Sequence, residues 1–321
     1  MSINLTSGIP EWFIDQFSKT LYHVQQQKQS KFRQAVREES LIGAEDKAFD
    51  YMGTLNLVEK TARNVATPKT TVTTGRRWVS TTPYHNAIDY DKDDDLSMII
   101  NPTSDFVTAF NRAVNRKYDD IILAAFDAAV YSGRRISSST ITWAAQNGNV
   151  KYTRTSGGRT IPYNCSIGNC SASDTKLTIE KIQLIKEYFK KNEVDEDMPI
   201  WMAIAPEQET DLFGQQEYTN RDYNGGSAPI ATGKIIPNFH GINLLVSNKI
   251  VKGTDNDVGG TEDVYKCWAW AQGGIVLGVA DSVTVKISEL PTQSYDQQVY
   301  VHMNAGAMRF DEDLVCCVEC Q

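Results

Sequence analysis

The sequence predicts an α+β fold, and three observations carry that prediction. The stretch from Asn101 to Gly133 has a sustained helical period, residues from Lys47 to about Ser97 read as short extended segments, and from Val264 onward the chain is almost all strand. In the long stretch Phe106, Phe110, Ala113, Val114, Tyr118, Ile121, Ala125, Phe126, Ala129 and Val130 recur at intervals of three and four, which places them on one stripe facing a large core. Pro102, Thr103 and Ser104 supply a first turn and cap oxygens, Asp105 puts negative charge at the positive end of the helix dipole, and Gly133 marks a stop. On period alone, such a rod equally suits the buried helix of any sizeable enzyme.

The other elements follow in order. After Pro10, the residues Phe13, Ile14, Phe17, Leu21 and Val24 share a helical face, beyond which QQQKQSKFRQAVREES is polar and suits either an arm laid on another surface or a solvated helix. From Lys47, the segments DYMGTLNLVEK and RRWVSTTPYHNAIDY, joined by the Thr-rich link TARNVATPKTTVTTG, predict a long two-stranded excursion that cannot bury much of itself. Basic residues outnumber acidic ones there, and DYDKDDD then reverses the sign. That juxtaposition suits head-to-tail association between copies, or simply two solvated charge runs. After the long helix come short strands and turns, then a helix starting at Thr178 with Ile179, Ile182, Ile185, Tyr188 and Phe189 on its face. The strand IWMAIA follows, and then a short helix opened by Pro206 and ended by Gly214. This alternation predicts an α/β layer with its own core.

Length, charge and cysteine usage exclude several functions. The 321 residues carry a net charge of −8, which argues against coating nucleic acid, because phosphate binding needs a positive face. No apolar run approaches the roughly 18–20 residues needed to cross a bilayer, and MSINLTSGIPEW lacks the regions of a signal peptide, so a cytoplasmic, membrane-free protein is expected. Cys165, Cys170, Cys267, Cys316, Cys317 and Cys320 lack paired zinc spacing. Buried thiols are the expectation, with a Cys165–Cys170 disulfide only after oxidation.

Tests for local chemistry fail one by one. Asp89, Asp91 and Asp93 have calcium-loop spacing, but Asp94 stands where Gly is needed and Ile100 where a bidentate Glu is needed. Gly233-Lys234 lacks the earlier Gly and the following Ser or Thr of a phosphate loop, and the glycines at 273, 274 and 278 do not match a dinucleotide fingerprint. His23, His85, His240 and His302 fall in four segments without a catalytic motif. No catalytic, cofactor-binding or metal residue is therefore assigned, although a triad assembled from distant residues stays open.

The order of parts carries a resemblance. VQQQKQSKFRQAVREESLIGAEDKAFDYMG, KTARNVATPKT, RRWVSTTPYHNAIDYDKDDDLSMIINPTSDF, PIWMAIAPEQETDLF, YTNRDY, GKIIPNFHGINLLVSN and NAGAMRFDEDLVCCVE together resemble major capsid proteins of tailed double-stranded DNA phages, with the Hong Kong 97-like fold. The resemblance covers nearly the full chain. It implies an N-terminal arm over 1–46, an extended β-hairpin loop over 47–100 and a peripheral domain with its spine helix over 101–173. An α/β axial domain over 174–282 and peripheral terminal strands over 283–321 complete the division. It further implies a structural protein, not an enzyme, that self-assembles into pentamers and hexamers of an icosahedral shell in the virion. Assembly would occur in the host cytoplasm with a scaffolding protein, a portal and, in some systems, a decoration protein, and packaged DNA would be met by proximity only. Arg63, Arg76 and Arg77 are the candidates for contacts to an acidic neighbour, with Asp89, Asp91, Asp93, Asp94 and Asp95 as their partners. Two alternatives share these parts: an encapsulin-type bacterial compartment, and a soluble α/β enzyme with no recognisable motif.

Overall fold

A computed structural model describes residues 27–44, 46–90, 103–133, 139–142, 159–161, 175–220, 235–250, 252–254, 263–292 and 295–321. The helical arm expected before residue 27, Asp91, Asp93, Asp94, Asp95, Cys165 and Cys170 lie outside these residues. The chain forms two compact units, one of Met1–Gln29, Tyr84–Arg116 and Val283–Met303, the other of Ser30–Pro83, Lys117–Ser282 and Asn304–Gln321.

In the smaller unit the later part of β13 (Ile275–Leu290), the first part of β14 (Asp296–Arg309) and β4 (Thr82–Tyr90) lie side by side in that order. Along β14 the buried Val299, Val301 and Met303 alternate with the half-buried Gln298, Tyr300 and His302, the period of two of a sheet with one inner face. Phe110 and Val114 of the long helix α1 (Thr103–Asp127) are buried in this unit, as their place on the apolar stripe predicts.

The larger unit is built on a seven-stranded sheet. Its order is β7 (Thr160–Ile161), β15 (Val315–Cys320), β12 (Asp263–Ala271), β8 (Ile200–Ile204), β10 (Ile242–Val246) and β9 (Asn238–Phe239), with β11 (Lys252–Thr254) also on β12. The helix α2 (Ile179–Lys191) buries Ile182, Ile185, Tyr188 and Phe189 in one cluster with Met202, Ile204, Leu244, Cys316 and Val318. Thr178 occupies the N-cap position of α2 yet makes no side-chain cap bond, so the expected oxygen does not act as one. The short helix α3 (Pro206–Phe213) begins at Pro206 and ends before Gly214 as its sequence predicts, and α4 (Gln216–Thr219) follows it. The β9–β10 hairpin turns through His240 and Gly241 at φ of 53° and 75°, the pair of positive angles that a two-residue type I′ turn requires. The opposite face of the sheet carries Trp268 and Trp270, and the second half of α1 closes it. Phe126 stacks on Trp268 at 5.2 Å and tilts against Trp270 at 4.9 Å. All four described cysteines, Cys267, Cys316, Cys317 and Cys320, are buried in this sheet as thiols, without disulfides.

A second sheet in the same unit has the order β2 (Asp46–Met52), β3 (Thr74–Ser80), β5 (Val130–Ser132) and β6 (Ser139–Ile141). β2 and β3 pair antiparallel from Asp46↔Ser80 to Met52↔Thr74 as a hairpin, but its strands are not the expected segments: residues 53–73 form neither helix nor strand, and Thr82–Tyr90 is the separate strand β4 beside β14. A short strand, β1 (Arg37–Ser40), pairs in parallel with the start of β13.

The structure corrects the end of the long helix. It stops at Asp127, six residues before Gly133, and Val130–Ser132 is a strand paired with β3 and β6. Ala129, expected on the buried stripe, is exposed, and Ile122, left off it, is fully buried. The helix is stopped by a residue 182 positions beyond its end. The Arg309 guanidinium donates to the carbonyls of Phe126, of Ala125 at 3.4 Å and of Ala128 at 3.2 Å, which takes up the groups a helix leaves unpaired at its C-terminus.

Candidate assembly site

Among the described residues, the loop of the β2–β3 hairpin forms a long exposed run. Residues 53–73 are exposed almost throughout, and they carry apolar side chains that a folded monomer ordinarily covers. Leu57 is fully exposed, Val58 is 68% exposed and Leu55 is 53% exposed. Arg63 lies in the same stretch, exposed beside Asn64, whose φ of 58° marks the tight bend at the tip. At the base, Asp50 and Arg76 stand directly opposite each other, and the guanidinium grips the carboxylate at 2.5 and 2.8 Å. This bond holds the exposed Asp50 carboxyl below its ordinary pKa and raises that of Arg76. Asp50, Tyr51, Met52, Thr74, Arg76 and Ser132 border a groove of about 870 Å³ beside this pair.

The sequence-derived contact residues part company here. Arg63 and Arg76 are on the surface, whereas Arg77 is not. The alternation along β3 turns Arg77 and Val79 inward, and the Arg77 side chain is only 7% exposed. It donates to Glu312 at 2.8 and 2.5 Å and to the carbonyl of Arg309 at 3.1 Å. This buried guanidinium is hydrogen-bonded within its own chain, so Arg77 anchors the hairpin. Asp89 accepts a hydrogen bond from Gln298 at 2.8 Å within its own sheet.

Two arginines thus share one buried carboxylate. Burial pulls the Arg77 pKa down, but the hydrogen bonds and charge of Glu312, helped by Tyr51, outweigh it and leave Arg77 above its ordinary value. For Arg309 burial prevails, and with the like charge of Arg77 it leaves that pKa lowered despite Glu312 at 3.5 Å. Glu312 therefore belongs chiefly to Arg77, and the helix carbonyls hold Arg309.

Among the described residues no group of three or more His, Cys, Asp or Glu side chains could hold a metal ion, and no helix is long and apolar enough to cross a membrane. His85 and His302 flank Tyr300 at ring separations of 6.2 and 6.5 Å, and His240 lies in its turn with its pKa lowered by burial and by Lys186 and Lys190. The residues that sequence reading missed are Leu55, Leu57 and Val58 on the loop and Arg309 and Glu312 at the anchor. The first three had a signal, since a segment too thin to bury its apolar residues leaves them exposed. Arg309 and Glu312 had none, because Arg309 acts on carbonyls 181–184 residues away and Glu312 on an arginine 235 residues away.

A long single helix, a seven-stranded mixed sheet and an exposed hairpin define the fold of a phage capsid subunit. The capsid of cyanophage P-SCSP1u matches with a TM-score of 0.72 at 13% identity, over 100% of this chain and 97% of that one. The cyanophage Pam1 capsid matches with 0.72 at 12% identity over 99% and 98%, and the Ralstonia phage GP4 capsid with 0.67 at 13% over 100% and 98%. The chain belongs to the phage capsid protein family, whose model matches residues 9–321. No curated protein matches it by sequence. Its role is that of a structural, shell-forming major capsid protein, as its resemblance to tailed-phage capsid proteins implies, and the encapsulin and soluble-enzyme readings have no support.

Proposed function

We propose that the chain associates into pentamers and hexamers that close into an icosahedral shell around double-stranded DNA, and that the hairpin is its principal lateral contact. The exposed apolar group Leu55, Leu57 and Val58 carries this reading, because uncovered apolar side chains clustered on one loop suit burial against a second copy. Burying a leucine or valine side chain is worth about 1.5–3 kcal/mol, and a subunit with several lateral neighbours repeats that gain at each contact. Arg63 and Arg76 offer charge to an acidic neighbour, with the run at Asp89, Asp91, Asp93, Asp94 and Asp95 as the proposed partner.

The wider reading keeps the arm over 1–46, the extended loop over 47–100, the peripheral domain over 101–173 and the axial domain over 174–282. Pairing of β15 with β12 supports counting residues 315–320 with the axial layer and the rest of 283–321 with the peripheral domain. The subunit is non-enzymatic, needs no cofactor and assembles in the host cytoplasm with scaffolding and portal proteins. The net charge of −8 favours a shell that encloses DNA without gripping it. Negative-stain microscopy of the purified protein with its scaffold tests the proposal. Rings and closed shells are expected for the native protein and unassembled, folded subunits for Leu57→Asp. Shells formed equally well by Leu57→Asp would refute the hairpin as principal contact.

A further inference from the structure

The turn from Phe310 to Leu314, between β14 and β15, touches more of the larger unit than a connector needs to. Phe310 meets the rings of Phe49 and Tyr51 on the hairpin edge-on at 6.2 and 6.5 Å. Glu312 takes the Arg77 guanidinium of β3, and Arg309, at the start of the turn, holds the last carbonyls of α1. On the far side Tyr188 of α2 donates to the carbonyl of Glu312 at 3.4 Å, and Asn192 donates to that of Asp313 at 3.2 Å. The hairpin and the helix end therefore reach each other through one carboxylate and two guanidinium groups, all of them buried.

We propose that Arg77, Glu312 and Arg309 form a latch that couples the base of the hairpin to the carboxyl end of the long helix, so that the two open and close together as one local unit. The physical argument is that neither half is self-sufficient. Arg77 is held by Glu312 and by the Arg309 main-chain carbonyl, while the Arg309 side chain donates to the last helix carbonyls and lies 3.5 Å from the same Glu312 carboxylate. Neutralising Glu312 removes the carboxylate that two buried cations share, and their mutual repulsion then favours moving β3 or moving Arg309 off the helix. Moving β3 also withdraws Arg77 from the Arg309 main-chain carbonyl, and moving the Arg309 side chain takes the donor from the last helix carbonyls, so a change at the shared carboxylate reaches both partners. Hairpin pose and helix end are set jointly, and a subunit whose latch is open would present its arm in a different direction.

Hydrogen–deuterium exchange on the unassembled full-length protein tests this. In Glu312→Gln, amides of β2 and β3 and those of the last turn of α1 are expected to exchange faster together, by about tenfold or more, while β8 and β10 keep native protection. Arg77→Lys keeps the charge but loses the two-pronged grip, and is expected to show the same paired acceleration at smaller amplitude. It decides the matter if Glu312→Gln fails to fold. Acceleration confined to the hairpin, confined to the helix end, or spread evenly over the whole chain would overturn the latch. The exchange readout does not depend on the assembly reading. A second readout does: shells of Arg77→Lys are expected to form more slowly or with altered size. Paired exchange with unaltered assembly would overturn the hairpin as principal contact and leave the latch standing.

Discussion

Truncating Phe126 to alanine should cost the subunit about 4–5 kcal/mol. The ring is fully buried, lies parallel to Trp268 with planes 11° apart, and tilts against Trp270 at 56°. A buried Phe→Ala change ordinarily costs about 3–5 kcal/mol, and two aromatic contacts worth about 0.5–1.5 kcal/mol each beyond their area place this one at the upper end. Collapse into the space is hindered, because both tryptophans are pinned in the sheet and Trp270 also donates its indole N–H to the carbonyl of Ala35 at 2.8 Å. With whole-domain stabilities of about 5–15 kcal/mol and urea slopes of about 2–3 kcal/mol per molar, the unfolding midpoint should fall by about 1.3–2.5 M. Urea titration of the unassembled subunit by far-ultraviolet circular dichroism, which avoids the altered tryptophan emission, measures it. A loss below about 1.5 kcal/mol would mean that the second half of α1 does not close this face of the sheet.

Three further perturbations address other parts of the larger unit. Lys181 is fully buried and donates to the carbonyls of Thr175, Lys176 and Glu319 at 3.2, 2.6 and 3.3 Å, so Lys181→Met should lose about 2–4 kcal/mol in the same titration. A more stable variant would show that the cost of desolvating the ammonium outweighs its bonds. A Cβ on Gly306 would collide with the backbone carbonyl of Ser80, which cannot swing away, so Gly306→Ala should lower the melting temperature by at least about 3 °C, and an unchanged value would refute that close approach. The lowered pKa of His240 means that the unfolded chain takes up its proton first as pH falls. Stability from this group is whole above about pH 6.5 and declines as pH drops through 6.5 towards the folded value. His240→Asn, which tolerates the positive φ, should flatten that decline in urea midpoints measured between about pH 7.5 and 5, and an undiminished decline would assign it elsewhere.

The legible parts of the fold are those whose physics is local. The stripe from Phe106 to Phe126 repeats every three to four residues, and Pro206 and Gly214 bracket α3 with residues suited to a helix start and stop. A hairpin was legible because β-branched segments flank a Thr-rich link, but the extent of its strands was not. What escaped was decided by distant partners. Gly133 reads as a stop only until Arg309 arrives from the end of the chain to take the helix carbonyls earlier, which frees Val130–Ser132 to pair with β3. Arg76 and Arg77 are chemically identical neighbours, yet one faces water and the other Glu312, and the choice rests on register, which a one-residue slip would invert. The surface arginines could be guessed as a pair; which of them remained on the surface could not.

That division between the two arginines bears on what drives assembly. With Arg77 withdrawn, the hairpin offers Lys60, Arg63, Lys69 and Arg76 as exposed cations, and Arg76 is already bonded to Asp50. An exposed ion pair contributes about 0–1 kcal/mol and is screened beyond about 8–10 Å at ordinary ionic strength, whereas burial of each of Leu55, Leu57 and Val58 contributes more and is indifferent to dilute salt. The apolar group should therefore set the strength of lateral contacts and the charges their register and rate. Raising sodium chloride from about 0.05 M to 0.5 M should slow shell formation, followed by light scattering, yet leave the final yield nearly unchanged. Arg63→Glu should act in the same way, on rate, while Leu57→Ala should reduce the yield itself. If salt abolishes the shells and Leu57→Ala leaves them intact, the energy of assembly lies in the charges and the exposed leucines serve another partner.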